Sequence, residues 1–109
     1  MLDLRPQDLA LVLRLAALTL PVSVAIWAYG SRVNGDAYEG SDLDLVLRSP
    51  ELQELPAATL SRFRAALTES NLPIFVDVHD WVLLPASFHE RILTRYEVLR
   101  PGATAPVPA

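Results

Sequence analysis

Cysteine is absent from the 109 residues. Disulfides, thiol nucleophiles and thiolate metal sites are therefore excluded together, and the composition suits a reducing cytoplasm. Lysine is absent as well, since all nine basic residues are arginine. That rules out a Schiff-base lysine or the lysine of a phosphate-binding P-loop. The net charge is −4 and the pI near 5.0, so no basic face is available to grip nucleic acid directly. A membrane-spanning run is also missing. The apolar stretch LALVLRLAALTL near the start is broken by Arg14, ended by Pro21 and shorter than the ~20 residues a span requires. Asp3 and Asp8 stand where a signal peptide would carry positive charge. These features predict a cytoplasmic chain with no membrane contact.

What is present is 51% apolar, enough for one packed core. One domain is expected over residues 1–100, with a disordered tail over 101–109 (PGATAPVPA). Pro6 and Asp8 suit a first helical turn, and the helix runs to about Thr19. Its main apolar stripe is Leu9, Val12, Leu13, Ala16, Ala17 and Leu20. Leu11, Leu15 and Leu18 form a second stripe, so the helix is apolar almost all round. Core burial is one reading of that second stripe; oligomerisation or partner docking through the helix is the other.

Three strands follow from β-branched and alternating patterns, over residues 22–30, 42–48 and 74–81. Ser49-Pro50 opens a segment broken near Pro56, after which Leu60, Phe63 and Leu67 carry a helix face. Pro85 begins a last short helix through Ile92. Helices alternating with strands predict an α/β fold, a small mixed sheet of about three strands covered by helices.

Asp42 and Asp44 alternate on the second strand and project from one face, with Cα atoms about 6.5–7 Å apart. Asp77 sits between Val76 and Val78, where an unpaired charge is hard to keep. Three carboxylates meeting in one place would repel each other without a cation, so the set reads as a Mg²⁺ site with room for two ions. Gly30 and Ser31 end the first strand at a turn, where unpaired N–H groups and a hydroxyl can hold phosphate oxygens. Ser41 borders that cradle, and Arg32 is the one basic residue placed near phosphate. Asp36 and Glu39 read as solvated turn residues, and Asp80 as bonded to backbone amides. His79 shares the face of Asp77, which puts it at the border of that pocket as one reading; a packing or surface role is the other. His89 reads as a packing or surface group, and Trp27, Trp81 and Phe88 as ordinary core.

Gly30-Ser31, ten residues, Asp42-x-Asp44 and an isolated strand acid, Asp77, together resemble the DNA polymerase β-type nucleotidyltransferase superfamily. More narrowly, the chain resembles its minimal nucleotidyltransferase (MNT) domain proteins, the antitoxins of type VII toxin–antitoxin pairs with HEPN-domain toxins. The resemblance covers roughly residues 22–92. It implies an ATP-dependent enzyme that moves AMP onto a tyrosine hydroxyl of a partner HEPN toxin. In that pattern Gly30 and Ser31 hold the triphosphate, Asp42 and Asp44 ligate Mg²⁺, and Asp77 completes the metal site and helps deprotonate the hydroxyl. Two other functions fit less of the sequence: an antitoxin that masks the toxin by binding alone, and a transferase acting on a small molecule of the aminoglycoside type. The chain leaves almost nothing beyond its core to hold a small acceptor.

Overall fold

A computed structural model describes residues 2–103. Helix α1 (Pro6–Thr19) leads into strand β1 (Ala25–Tyr29) and a single helical turn, α2 (Ser31–Asn34). Strand β2 (Leu43–Arg48), helix α3 (Ala57–Glu69) and strand β3 (Val76–Asp80) follow. Helix α4 (Ala86–Thr94) and strand β4 (Glu97–Arg100) are the last elements among the described residues. The sheet order is β3-β2-β1-β4. β1 runs antiparallel to both β2 and β4, and β2 runs parallel to β3. The parallel pair needs a crossover, which α3 supplies.

The sheet has four strands where the sequence pattern predicts about three. The missed strand is the four-residue segment EVLR beside β1. A run that short, following directly on a helix and stopped by Pro101, carries too little alternation to read locally; its partner strand makes it a strand. Of the expected tail, Ala103 N donates to the Val22 carbonyl at 2.9 Å. Residues 104–109 of that expected tail lie outside the described residues.

Period-two alternation sorts each strand onto two faces. Ile26 and Ala28, Leu43, Leu45 and Leu47, and Val76 and Val78 point to one face. There they meet Val12 and Ala16 of α1 and Leu60, Phe63 and Leu67 of α3. This is the main core, and the apolar stripes of both helices supply it as their 3.6-residue spacing predicts. Leu15 of the second α1 stripe packs against it, whereas Leu18 stands clear at 76% exposed. The opposite face holds a smaller cluster of Trp27, Val46, Trp81 and Ile92, flanked by Tyr29 and Phe88. Arg48 lies over both indoles, 4.1 and 4.5 Å from the ring centroids of Trp27 and Trp81, a cation–π arrangement that takes the place of an acidic partner.

Asp80 behaves as the sequence suggests. It is buried, and its carboxylate accepts from Leu55 N at 2.7 Å and Val82 N at 3.2 Å. Those bonds tie the end of β3 to the segment before α3. Among the described residues no helix is long and apolar enough to cross a membrane. Phe63 is wholly buried at the centre of the main core. Phe63→Ala should cost about 3–5 kcal/mol, measured as a lower midpoint of chemical denaturation.

Candidate active site

The candidate site lies on the second face of the sheet, at the end away from Arg48. In the ladder, Tyr29 of β1 lies opposite Asp44 of β2, and Asp44 lies opposite Asp77 of β3. One row across three strands therefore reads Tyr29, Asp44, Asp77, all on one face. His79, two residues on and so on the same face, donates from Nε2 to Asp77 Oδ2 at 3.0 Å. The imidazole is thus part of the acid row. Its i+2 spacing from Asp77 already sets it on that face in the sequence; the bond to the carboxylate is what the structure adds.

Gly30 closes the row from β1. It adopts φ +80° and caps α2, and its carbonyl accepts from Val33 N and Asn34 N at 3.0 and 2.9 Å. Two constraints demand glycine here. The backbone angle is one that side chains rarely adopt, and a Cβ would overlap Asp44 Oδ2. The turn therefore approaches the carboxylate as closely as backbone can. The opening amides of α2, as at any helix start, lack intrahelical partners.

Tyr29, Gly30, Ser31, Asp44, Asp77 and His79 line a cleft of about 370 Å³, with Phe88 and Arg91 of α4 on the far wall. An adjoining recess of about 320 Å³ is lined by Ser31, Tyr38, Ser41, Asp42 and Asp44. Ser31, Asp36 and Asp44 belong to both. Asp42 is exposed, just ahead of β2, and lines only the second recess. The expected trio is therefore a close pair, Asp44 and Asp77, with Asp42 on the outer side of Asp44. Among the described residues, no three carboxylate or imidazole groups are gathered closely enough to hold a metal ion by themselves.

Electrostatics nevertheless join the three acids. Burial pushes the Asp44 carboxyl above its usual range, and the charges of Asp77 and then Asp42 push it further, with His79 opposing. A carboxylate held among like charges favours a cation beside it. The donors are hard oxygens, and Mg²⁺ is commonly held by one or two carboxylates with substrate phosphates and water completing its shell. The residues fit that ion. Burial also pushes the Tyr29 hydroxyl up to about 12, Asp44 and Asp77 adding to the effect.

Arg32 is placed elsewhere. It is 7% exposed, and its guanidinium donates to the carbonyls of Ser41 (2.9 Å), Asp3 (2.9 Å) and Glu39 (3.0 Å). It lines a separate recess with Asp3, Arg5 and Asp8. The expectation of a phosphate ligand gives way to a loop anchor, because a buried guanidinium with five donors satisfies itself on main-chain oxygens. Ser41 is buried beside it, its Oγ accepting from Tyr38 N at 2.9 Å. Asp36 and Glu39 are exposed, as expected of turn residues.

Residues 12–99 match the nucleotidyltransferase domain family. The chain belongs to that family. It is a nucleotidyltransferase, and the likeness to the minimal members of the superfamily that the spacing suggests holds. It is 37% identical over 99 residues to a probable protein adenylyltransferase, MntA, of Haemophilus influenzae, with 91% of this chain and 84% of that protein covered. A solved toxin–antitoxin structure with AMP-PNP shares the fold, at a TM-score of 0.69 and 19% identity, covering 85% of this chain and 73% of that one.

Two outcomes follow from the geometry. Gly30→Ala should lose about 1–3 kcal/mol of stability through backbone strain alone and displace the Asp44 carboxylate, so metal-dependent nucleotide binding should fall more than the stability does. The Asp44 pKa gives a signed pH effect. A carboxyl whose folded value lies above its unfolded value binds more protons when folded, so its contribution falls as pH rises through that window. Asp44→Asn should therefore raise the melting temperature at pH 7 in the presence of a chelator. The gain should vanish below the unfolded value of 3.8, as differential scanning fluorimetry across pH would show.

Proposed function

We propose that this nucleotidyltransferase moves AMP from ATP to a tyrosine hydroxyl of a partner HEPN-domain toxin and so acts as that toxin's antitoxin. The observation that carries the proposal is the row of Asp44 and Asp77 beside the Gly30-Ser31 turn. The name of the H. influenzae relative, a protein adenylyltransferase, supports a protein as acceptor. The toxin–antitoxin neighbour with AMP-PNP supports ATP and a toxin as the two ligands.

In this reading Asp42, Asp44 and Asp77 would hold Mg²⁺, which when bound neutralises phosphate charge and makes an adjacent hydroxyl more acidic. The chain's own groups do the rest. Gly30 and Ser31 receive the triphosphate on backbone amides and a hydroxyl, and Ser41 shapes the recess next to them. The acceptor oxygen attacks the α-phosphorus, the bond to pyrophosphate breaks, and the tyrosine proton passes to the Asp77 carboxylate. His79 holds that carboxylate in place from its other side. A tyrosine hydroxyl has a pKa of about 10, so a base and a cation beside it are needed near neutral pH.

The decisive experiment incubates the purified chain with Mg²⁺, labelled ATP and the cognate toxin, followed by mass analysis of the toxin's tyrosine peptides. AMP should appear on the toxin, and Asp44→Ala or Asp77→Asn should slow its appearance more than about a hundredfold. An unmodified toxin that is nevertheless neutralised, equally well by an Asp42→Ala/Asp44→Ala double variant, would establish masking by binding instead. Mg²⁺ with ATP should also raise the melting temperature of the wild type, and Asp44→Ala should abolish the rise.

A further inference from the structure

The nucleotide reading leaves a charge unaccounted for. ATP carries its negative charge mainly on the β- and γ-phosphates, yet the cleft itself is acidic, lysine is absent from the chain, and Arg32 is committed to main-chain carbonyls. Backbone amides and a metal offset part of that charge. Side-chain cations must come from another element.

That element is α4. Arg91 lines the acid cleft together with Asp44, Asp77 and Ser31. It also lines a small recess of about 60 Å³ in which Gly30, Asn34 and Arg95 take part. Gly30 and Asn34 thus face both spaces, and the path from the acid pair runs past the Gly30 turn to the two arginines. Arg95 is the first residue past α4, where the backbone turns extended (φ −157°, ψ 117°), and it lines the same small recess as Arg91. A chain of ring contacts holds Arg91 in register with the acid row. Its guanidinium lies 5.3 Å from the Phe88 centroid, and Phe88 meets Tyr29 edge-on at 6.4 Å. The planar fork of arginine suits phosphate oxygens.

We propose that Arg91 and Arg95 bind the β- and γ-phosphates of the nucleoside triphosphate, orienting the α-phosphorus toward Asp44 and Asp77 and receiving the departing pyrophosphate. This inference rests on the nucleotidyl-transfer reading of the cleft and adds the residues that select a triphosphate over a monophosphate.

Titration calorimetry of the full chain with Mg²⁺·ATP and with AMP tests it. Arg91→Gln and Arg95→Gln should each weaken ATP binding about tenfold, the worth of one charge-assisted phosphate contact, and leave AMP within about twofold. Arg91→Lys should recover part of the loss. Arg62→Gln, on exposed α3 surface, should change neither nucleotide and controls for net charge. Melting temperatures of the arginine variants should match the wild type without ligand. Unchanged ATP affinity in both arginine variants, or AMP falling in step with ATP, overturns the assignment while leaving the acid site standing. A wild-type chain that binds neither nucleotide overturns both.

Discussion

Parallel pairing of β2 with β3 sets Asp44 directly opposite Asp77, and every other feature of the site is arranged around that juxtaposition. Two carboxylates on neighbouring strands are destabilising on their own. The fold tolerates them near one end of their strands, with His79 against one and the Gly30 turn against the other. The cost is visible in Asp44, whose protonated form is favoured by burial and by its acidic neighbours. A site that is uncomfortable when empty of cations is suited to gaining one.

The two faces of the sheet divide the work. The main core, filled by α1 and α3, is aliphatic around Phe63 and supplies most of the apolar burial. The second face is built of rings: Trp27 stacks on Tyr96 at 4.1 Å and meets Trp81 edge-on, while Tyr29 touches Phe88. Rings leave hydroxyl, imidazole and carboxylate groups room at one end while excluding water from the other. Helix α4 lies over this face with Ile92 buried and Arg91 at the cleft, so the same nine-residue helix both closes the smaller core and borders the chemistry.

Much of this was legible from residues alone. The strand pattern put Asp44 and Asp77 on β-structure, and the Gly-Ser turn ended β1 where expected, because alternation and turn chemistry are local properties. Asp80 was read correctly for the same reason. What was not legible depends on contacts distant in sequence. β4 is a strand through its pairing with β1, and Arg32 is a loop anchor because the chain folds Asp3, Glu39 and Ser41 around it. Asp42 looked equivalent to Asp44 by spacing, yet β2 begins one residue later and leaves it exposed. Arg91 joins the cleft by helix placement, which no single segment announces, whereas the place of His79 beside Asp77 follows from their spacing on one strand.

The grip of Arg32 on the loop before β2 has a consequence of its own. It clasps carbonyl oxygens of Ser41 and Glu39 and makes no demand on the side chain of residue 38 or 39. Tyr38 accordingly projects into solvent at 73% exposure, beside the recess that Asp42 and Asp44 share. The loop's path and its chemical identity are thereby uncoupled. A recess wall built this way can be repainted one side chain at a time while its scaffolding stays put.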